Sequence, residues 1–294
     1  MPRRPIAPLI ALALVALFPL SGATFYVELT TKIMIMAIFA LSLDLLVGWT
    51  GLVSFGHAAF FGVGAYALAL LSPKAAAAGL WSSLALAIGA AALCAFVVGV
   101  FVLRTRGIYF IMVTLAFAQM FYFVFHDTDF GGGSDGRYVN LKPDASILGF
   151  TPFDLDKPDQ IYFVVLAVLV LVFLFLQMLL RSPFGRALQG IKANEQRMRA
   201  LGYPVTAYKL AAFTLAGALA GLAGYLLAAQ SGFVNPEILS WHQSGNVLLM
   251  VILGGAGTPY GPIAGGVVAV AVGPVSVGRG GPQGRGSGAP GPEF

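Results

Sequence analysis

Apolar residues run through this chain in long blocks separated by short polar segments. A membrane-spanning helix needs about 20 mainly apolar residues. Blocks approaching or reaching that length cover 6–20, 32–47, 52–71, 81–103, 109–125, 161–180 and 210–229, followed by a glycine-broken pair at 247–254 and 263–272. The pattern predicts an all-α integral membrane fold, a polytopic helical bundle of about eight to nine spans, some of them discontinuous. One membrane domain then takes in residues 1–272 and leaves no room for a soluble one. The first block has two readings. Arg3 and Arg4, the apolar run after them and Ser21-Gly22-Ala23 have the layout of a cleavable signal peptide. Retention as a first span is favoured, because so many spans follow.

The most informative interruption is RSPFGRALQGIKANEQRMRALGYPVTAYK at 181–209. It holds six bases (Arg181, Arg186, Lys192, Arg197, Arg199 and Lys209) against one acid, Glu195. Ile191, Met198 and Leu201 fall at helical spacing on one side, and Gly202 and Pro204 end the run as a helix stop does. A short amphipathic helix is expected there, and such a helix needs something to dock on.

Composition agrees with the blocks. The chain is 58% hydrophobic and only 10% charged, with mean hydropathy +0.86; soluble domains are about 45–50% apolar. The net charge of +5 would suit a nucleic-acid binder, but the bases sit in short loops rather than on one exposed face. Cys94 is the single cysteine, so an intrachain disulfide is excluded.

Basic loops stay in the cytoplasm, which sets the orientation. Between Phe125 and Ile161 lie seven acids and three bases, so 126–160 is expected outside. Arg104 with Arg106, the 181–209 loop and the N-terminus bearing Arg3 and Arg4 then all fall inside. The irregular outer loop reads equally as a landing surface for an external partner and as a solvated connector.

Three glycine-rich zones stand out: GWTGLVSFGHAAFFGVGAYA from Gly48, the Gly217–Gly221–Gly224 series, and LGGAGTPYGPIAGG from Leu253. Small residues let helix backbones approach closely in lipid. They also permit broken helices where backbone lines a cavity. Tight packing explains any one glycine, whereas three zones together point to a discontinuous, solute-passing core. Candidate pathway residues are Ser54, Gly56, His57, Gly62, Gly64, Thr114 and Gln119; for Thr114 and Gln119, interhelical hydrogen bonding is an equal reading. Asp44 is read as an inner-edge acid, paired or capping, ahead of ion coupling. His57 has no second His or Cys at ligand spacing, so a packed, hydrogen-bonded histidine is expected rather than a metal site.

Strings of intramembrane acids, an Arg-rich sensor helix and a selectivity-filter motif are all missing from the sequence, which disfavours secondary transport and channel readings. So is a G-x-x-x-x-G-K-[ST] phosphate loop. Active transport would therefore draw its energy from another subunit, met at 181–209, and no catalytic residue, metal or cofactor is assigned to this chain.

GWTGLVSFGHAAFFGVGAYA, RTRGIYFIMVTLAFAQM, SPFGRALQGIKANEQRMRALGYPVTAYKLAAFTLAGALAGLAGYL and SGNVLLMVILGGAGTPYGPIAGG together resemble the permease subunits of branched-chain amino acid ABC importers, the M-type chain in particular, over roughly 30–266. The resemblance implies a multi-pass protein of the bacterial inner membrane with no enzymatic chemistry of its own. It implies as partners a second related permease, two cytoplasmic ATPase subunits that bind the ATP, and a periplasmic binding protein delivering branched-chain or similar amino acids. It also implies that 190–202 is a coupling helix on an ATPase, with Arg186, Ile191, Lys192, Asn194, Glu195, Arg197, Met198, Leu201 and Gly202 as contact candidates, and that 126–160 faces the periplasm. Permeases for urea, short amides or other small solutes, and a standalone secondary transporter, are the alternatives. After Gly266 the sequence departs from the family: residues 273–294 are rich in Gly and Pro and read as a disordered end, or as a frameshifted or truncated reading frame.

Overall fold

The computed structural model describes residues 18–21, 24–72, 79–129, 131–139, 143, 157–258 and 260–272. All but the last three residues of the first expected span, and the Gly/Pro-rich segment 273–294, lie outside them.

Where long apolar runs have no interior proline they form continuous helices: α1 (Thr24–Val47), α3 (Leu80–Val102), α4 (Ile108–Asp127), α5 (Pro158–Arg181) and α8 (Val205–Ser231). These five are long and apolar enough to cross a membrane. Their ends follow local rules. Pro158 opens α5, where its missing N–H costs nothing, and Gly232 closes α8 with φ +65°, a conformation that favours glycine. Helix α1 begins earlier than its apolar run predicts, because Glu28 and Lys32 break the run without breaking the helix.

Helix α2 (His57–Leu71) is the main departure from expectation. A span over 52–71 is expected, yet residues 48–56 are irregular and only 15 are helical, about 22 Å at 1.5 Å per residue. The chain therefore enters the bundle as irregular, turn-like backbone. Its amides find partners: Leu52 N donates to Leu46 O at 3.0 Å, and Phe55 N donates to Thr114 Oγ1 at 3.2 Å. Irregular backbone at this depth persists only when so satisfied.

Helices α1, α2 and α8 form the centre. Of the most apolar 18 residues of α1, 78% are buried, against 22% in α4, so α4 lies at the periphery with α3 and α5. Close approach at the centre depends on glycine. A Cβ on Gly64 would overlap the Gly221 backbone, one on Gly224 the Phe61 carbonyl, and one on Gly217 the Ala95 methyl. The glycine zones at 48–67 and 217–224 thus pack α2, α8 and α3 together.

The third zone breaks a hairpin as the sequence predicts. Helix α9 (Trp241–Gly254) leads through a turn at 255–258 to α10 (Gly261–Val272), which packs beside α1. Helix α9 starts before the expected residue 247, since its first turn is polar (Trp241, His242, Gln243, Ser244) and escapes an apolar-run criterion.

Two ends result. At one, the paired strands β1 (Arg137–Tyr138) and β2 (Phe233–Val234) join the segment after α4 to the end of α8, and Gln230 Nε2 donates to Glu28 O at 2.8 Å. At the other lie the end of α1, Arg104 and Arg106, the α9–α10 turn and the 181–209 segment. The two basic clusters among the described residues therefore share one end, as the alternation of spans requires.

That segment is two helices rather than the expected one: α6 (Pro183–Ala193) and α7 (Glu195–Ala200). Ser182 caps the first, its Oγ accepting from Gly185 N at 3.4 Å. Asn194 is extended and caps the second, its Oδ1 accepting from Arg197 N at 2.9 Å. An Asn that satisfies an orphan amide competes with continuing the helix, which is why the single amphipathic face does not form.

Candidate functional site

The irregular segment 48–56 delivers Ser54, Gly56 and, at the head of α2, His57 to the interior, where they meet α1, α4 and α9. Ser42 Oγ lies 2.9 Å from His57 Nε2, and Phe39 stacks on the imidazole with the rings within 4° of parallel. Ser244 Oγ accepts the Ala58 N–H at 2.8 Å, satisfying one of the orphan amides at the head of α2. Thr114 Oγ1 accepts from Phe55 N while donating to its own helix at Ile111 O, 2.8 Å. Gly56 is seated so closely on Thr114 that a Cβ would overlap the Thr114 carbonyl. Ser42, Ser54, His57, Thr114 and Ser244 are all buried. They form a sealed polar junction of four elements in an otherwise apolar bundle.

Of the sequence-predicted pathway residues, Ser54, Gly56, His57 and Thr114 are thus brought together. Gly62 and Gly64 are not part of the junction. Gly62 receives the Leu239 side chain and Gly64 the Gly221 backbone, so both are packing positions. Gln119 is half-buried, further along α4. Ser42 and Ser244 were missed because a lone serine in an apolar run gives no periodic signal; only the fold shows that both face α2. His57 Nδ1 has no hydrogen-bond partner among the described residues. There, no three His, Cys, Asp or Glu side chains cluster as metal ligands would.

The second site is at the basic end. A cleft of about 480 Å³ opens between segment 50–53, the α3–α4 turn at 105–108 and the 191–195 junction of α6 and α7, with Lys209 of α8 behind. Glu195 organises it. Its carboxylate takes Lys209 Nζ at 2.7 Å and Arg199 at 2.6 Å, and Arg106 approaches to 3.9 Å. The single acid of the segment therefore ties α7 to α8 and to the α3–α4 turn. The Lys209 hydrogen bond, helped by the Lys209 charge and by the hydrogen bond and charge of Arg199, holds the Glu195 carboxyl below the ordinary range against the opposing effect of desolvation. Lys192 Nζ donates to Gly48 O at 2.6 Å, placing a cation at the carbonyl end of α1.

The predicted docking residues divide. Ile191 is buried within the chain and Met198 half-buried over Gly190, so neither is an outward anchor; the break at Asn194 has turned them inward. Leu201 is 66% exposed, beside Gly202 at φ +85°. Arg186 and Arg197 are exposed and make no ion pair with a described residue. The outward surface is therefore basic, with Leu201 and Tyr203 as exposed apolar side chains, carried on a platform held from within by Glu195 and Lys192.

Comparison with known proteins follows the same lines. Residues 25–278 match the family model described as the branched-chain amino acid transport system / permease component. The chain is 35% identical over 284 residues to the high-affinity branched-chain amino acid transport system permease protein LivM of Salmonella typhimurium, covering 89% of this chain and 66% of the relative. To LivM of Escherichia coli it is 34% identical over 286 residues, 90% of this chain and 66% of the relative. A shorter match, 28% identical over 137 residues, is to the autoinducer 2 import system permease protein LsrC of Photorhabdus laumondii, covering 45% of this chain and 40% of the relative. The chain thus spans slightly under two thirds of the length of the LivM relatives. No solved structure matches it significantly.

Proposed function

The chain belongs to the branched-chain amino acid transport permease family and is a multi-pass inner-membrane protein, and from that premise we propose that it passes branched-chain amino acids or similar small solutes inward, driven by separate ATPase subunits. The partners of such a chain are a second related permease, two ATPases and an external binding protein. The ATPases face the basic end, which is then cytoplasmic, and the β1–β2 end faces outward.

The observation that carries this reading is the α6–α7 platform. It is an outward-facing basic surface, tied to the bundle through Glu195 and Lys192, on a chain with no phosphate loop of its own. Solute would cross where irregular backbone meets the sealed polar junction, which must part for passage. The partial likeness to LsrC supports a pathway whose architecture accommodates solutes other than amino acids.

Arg186 and Arg197 give the cleanest test, because Arg199 is already engaged with Glu195. Purified in detergent, the wild-type chain is expected to bring down an ATPase, and the doubly reversed variant R186E/R197E to lose it together with amino-acid uptake. Uptake that persists in the variant, with no ATPase retained by either protein, sinks the proposal.

A further inference from the structure

Platform and polar junction lie at different depths, and the structure connects them through a short chain of directed bonds. Lys192 Nζ of α6 is bonded to Gly48 O, at the end of α1. Gly48 sits against the α9–α10 turn so closely that a Cβ on it would overlap both the Asp44 carboxylate and the Gly257 backbone. Asp44 Oδ1, one helical turn back, accepts the Gly257 N–H at 2.8 Å. Gly255 and Gly257 hold φ of +95° and +80°, so this turn has a defined shape that other residues adopt poorly. From it α9 runs back to Ser244, which holds the Ala58 amide at the head of α2.

These links differ in kind from the packing around them. Apolar contacts between α6 and its neighbours can slide by an ångström at little cost. A hydrogen bond to a single carbonyl weakens steeply with misalignment, and two glycines in backbone contact leave no side chain to absorb displacement. A movement of α6 is therefore passed on to the α9–α10 turn or breaks the bond, which makes the linkage two-state rather than compliant.

We propose that Lys192 and Asp44 are positioning residues that transmit movement of α6 through the end of α1 to the α9–α10 hairpin, and through Ser244 to the head of α2, so that the polar junction parts when the platform shifts. This rests on α6–α7 being an ATPase seat.

The test uses the intact transporter purified with its ATPase subunits, with Cys94→Ala and an environment-sensitive fluorophore on Ala256→Cys, an exposed position in the turn. Probe response to ATP and solute uptake per ATP hydrolysed are measured in liposomes. Lys192→Met is expected to retain the ATPase yet lose the probe response, with uptake per ATP falling about five- to tenfold. Lys192→Arg, which keeps a donor, should restore both, and Asp44→Asn, with a weaker acceptor, should fall between. A wild-type chain that retains no ATPase overturns the docking reading and the linkage with it. Retained ATPase with undiminished coupling in Lys192→Met, or no rescue by Lys192→Arg, overturns the linkage alone.

Discussion

Ser244 shows how much one hydroxyl decides in this bundle. The head of α2 lies in the apolar interior, where an amide without an acceptor costs about 1–3 kcal/mol, and Ser244 accepts the Ala58 N–H there. Ser244→Ala is expected to lower stability by about that amount, read as a fall in Tm of a few degrees for the detergent-purified protein. An unchanged Tm would mean that Ala58 finds another acceptor. Ser42→Ala should cost less, because the hydroxyl also bonds Phe39 O of its own helix, and hydrogen bonds between helices in membrane bundles average about 0.6 kcal/mol. His57 was legible in the sequence as a packed, hydrogen-bonded histidine, and the structure bears this out. Its serine partner was not legible, because nothing in the run around Ser42 distinguishes it from a neutral residue in an apolar helix.

Among helices, the glycines sort by what their missing side chain would meet. Gly224 lies against the Phe61 carbonyl of α2, whereas nothing lies within 4 Å of a Cβ built on Gly89 in α3. Gly224→Ala forces α2 and α8 apart and is expected to cost about 1–3 kcal/mol. Gly89→Ala relieves helix-interior glycine and should be neutral or stabilising by about 0.5–1 kcal/mol. Thermal unfolding of the two variants side by side checks the contrast; equal effects would show that α2 and α8 have slack the structure does not suggest. The existence of the continuous spans was readable because lipid demands a long apolar run, but α1 and α9 begin several residues before their apolar runs, where polar side chains open the helix. The interior elements misread were those whose ends are set by one polar contact: α2, shortened because 52–56 bonds elsewhere, and the α6–α7 pair, divided by the Asn194 cap.

Across the whole molecule, Glu195 ties its own helix α7 to the next helix α8 and to the sequence-distant α3–α4 turn. Its carboxyl is held below the usual value, chiefly by Lys209, so the ionised form stabilises the platform. A depressed acid contributes fully above its unfolded value and loses that contribution as pH falls through the folded value. The platform should therefore stay ordered down to the ordinary glutamate range, about pH 4.3, and loosen below it. A nitroxide on Gln196→Cys would report this as rising mobility on acidification, whereas Glu195→Gln should be mobile already at neutral pH. Mobility independent of both would show that the ion pairs do not hold α7. The sequence by itself determined that this chain is a multi-span helical membrane protein, which of its segments share an end, and to which family it is similar. Run length, base placement and long local motifs carry that information without reference to distant residues. Only the tertiary structure decided which polar side chains meet and which loop residues face out. Those outcomes depend on contacts such as Lys192 with Gly48 or Ala58 with Ser244, and no local pattern specifies a partner more than a hundred residues away.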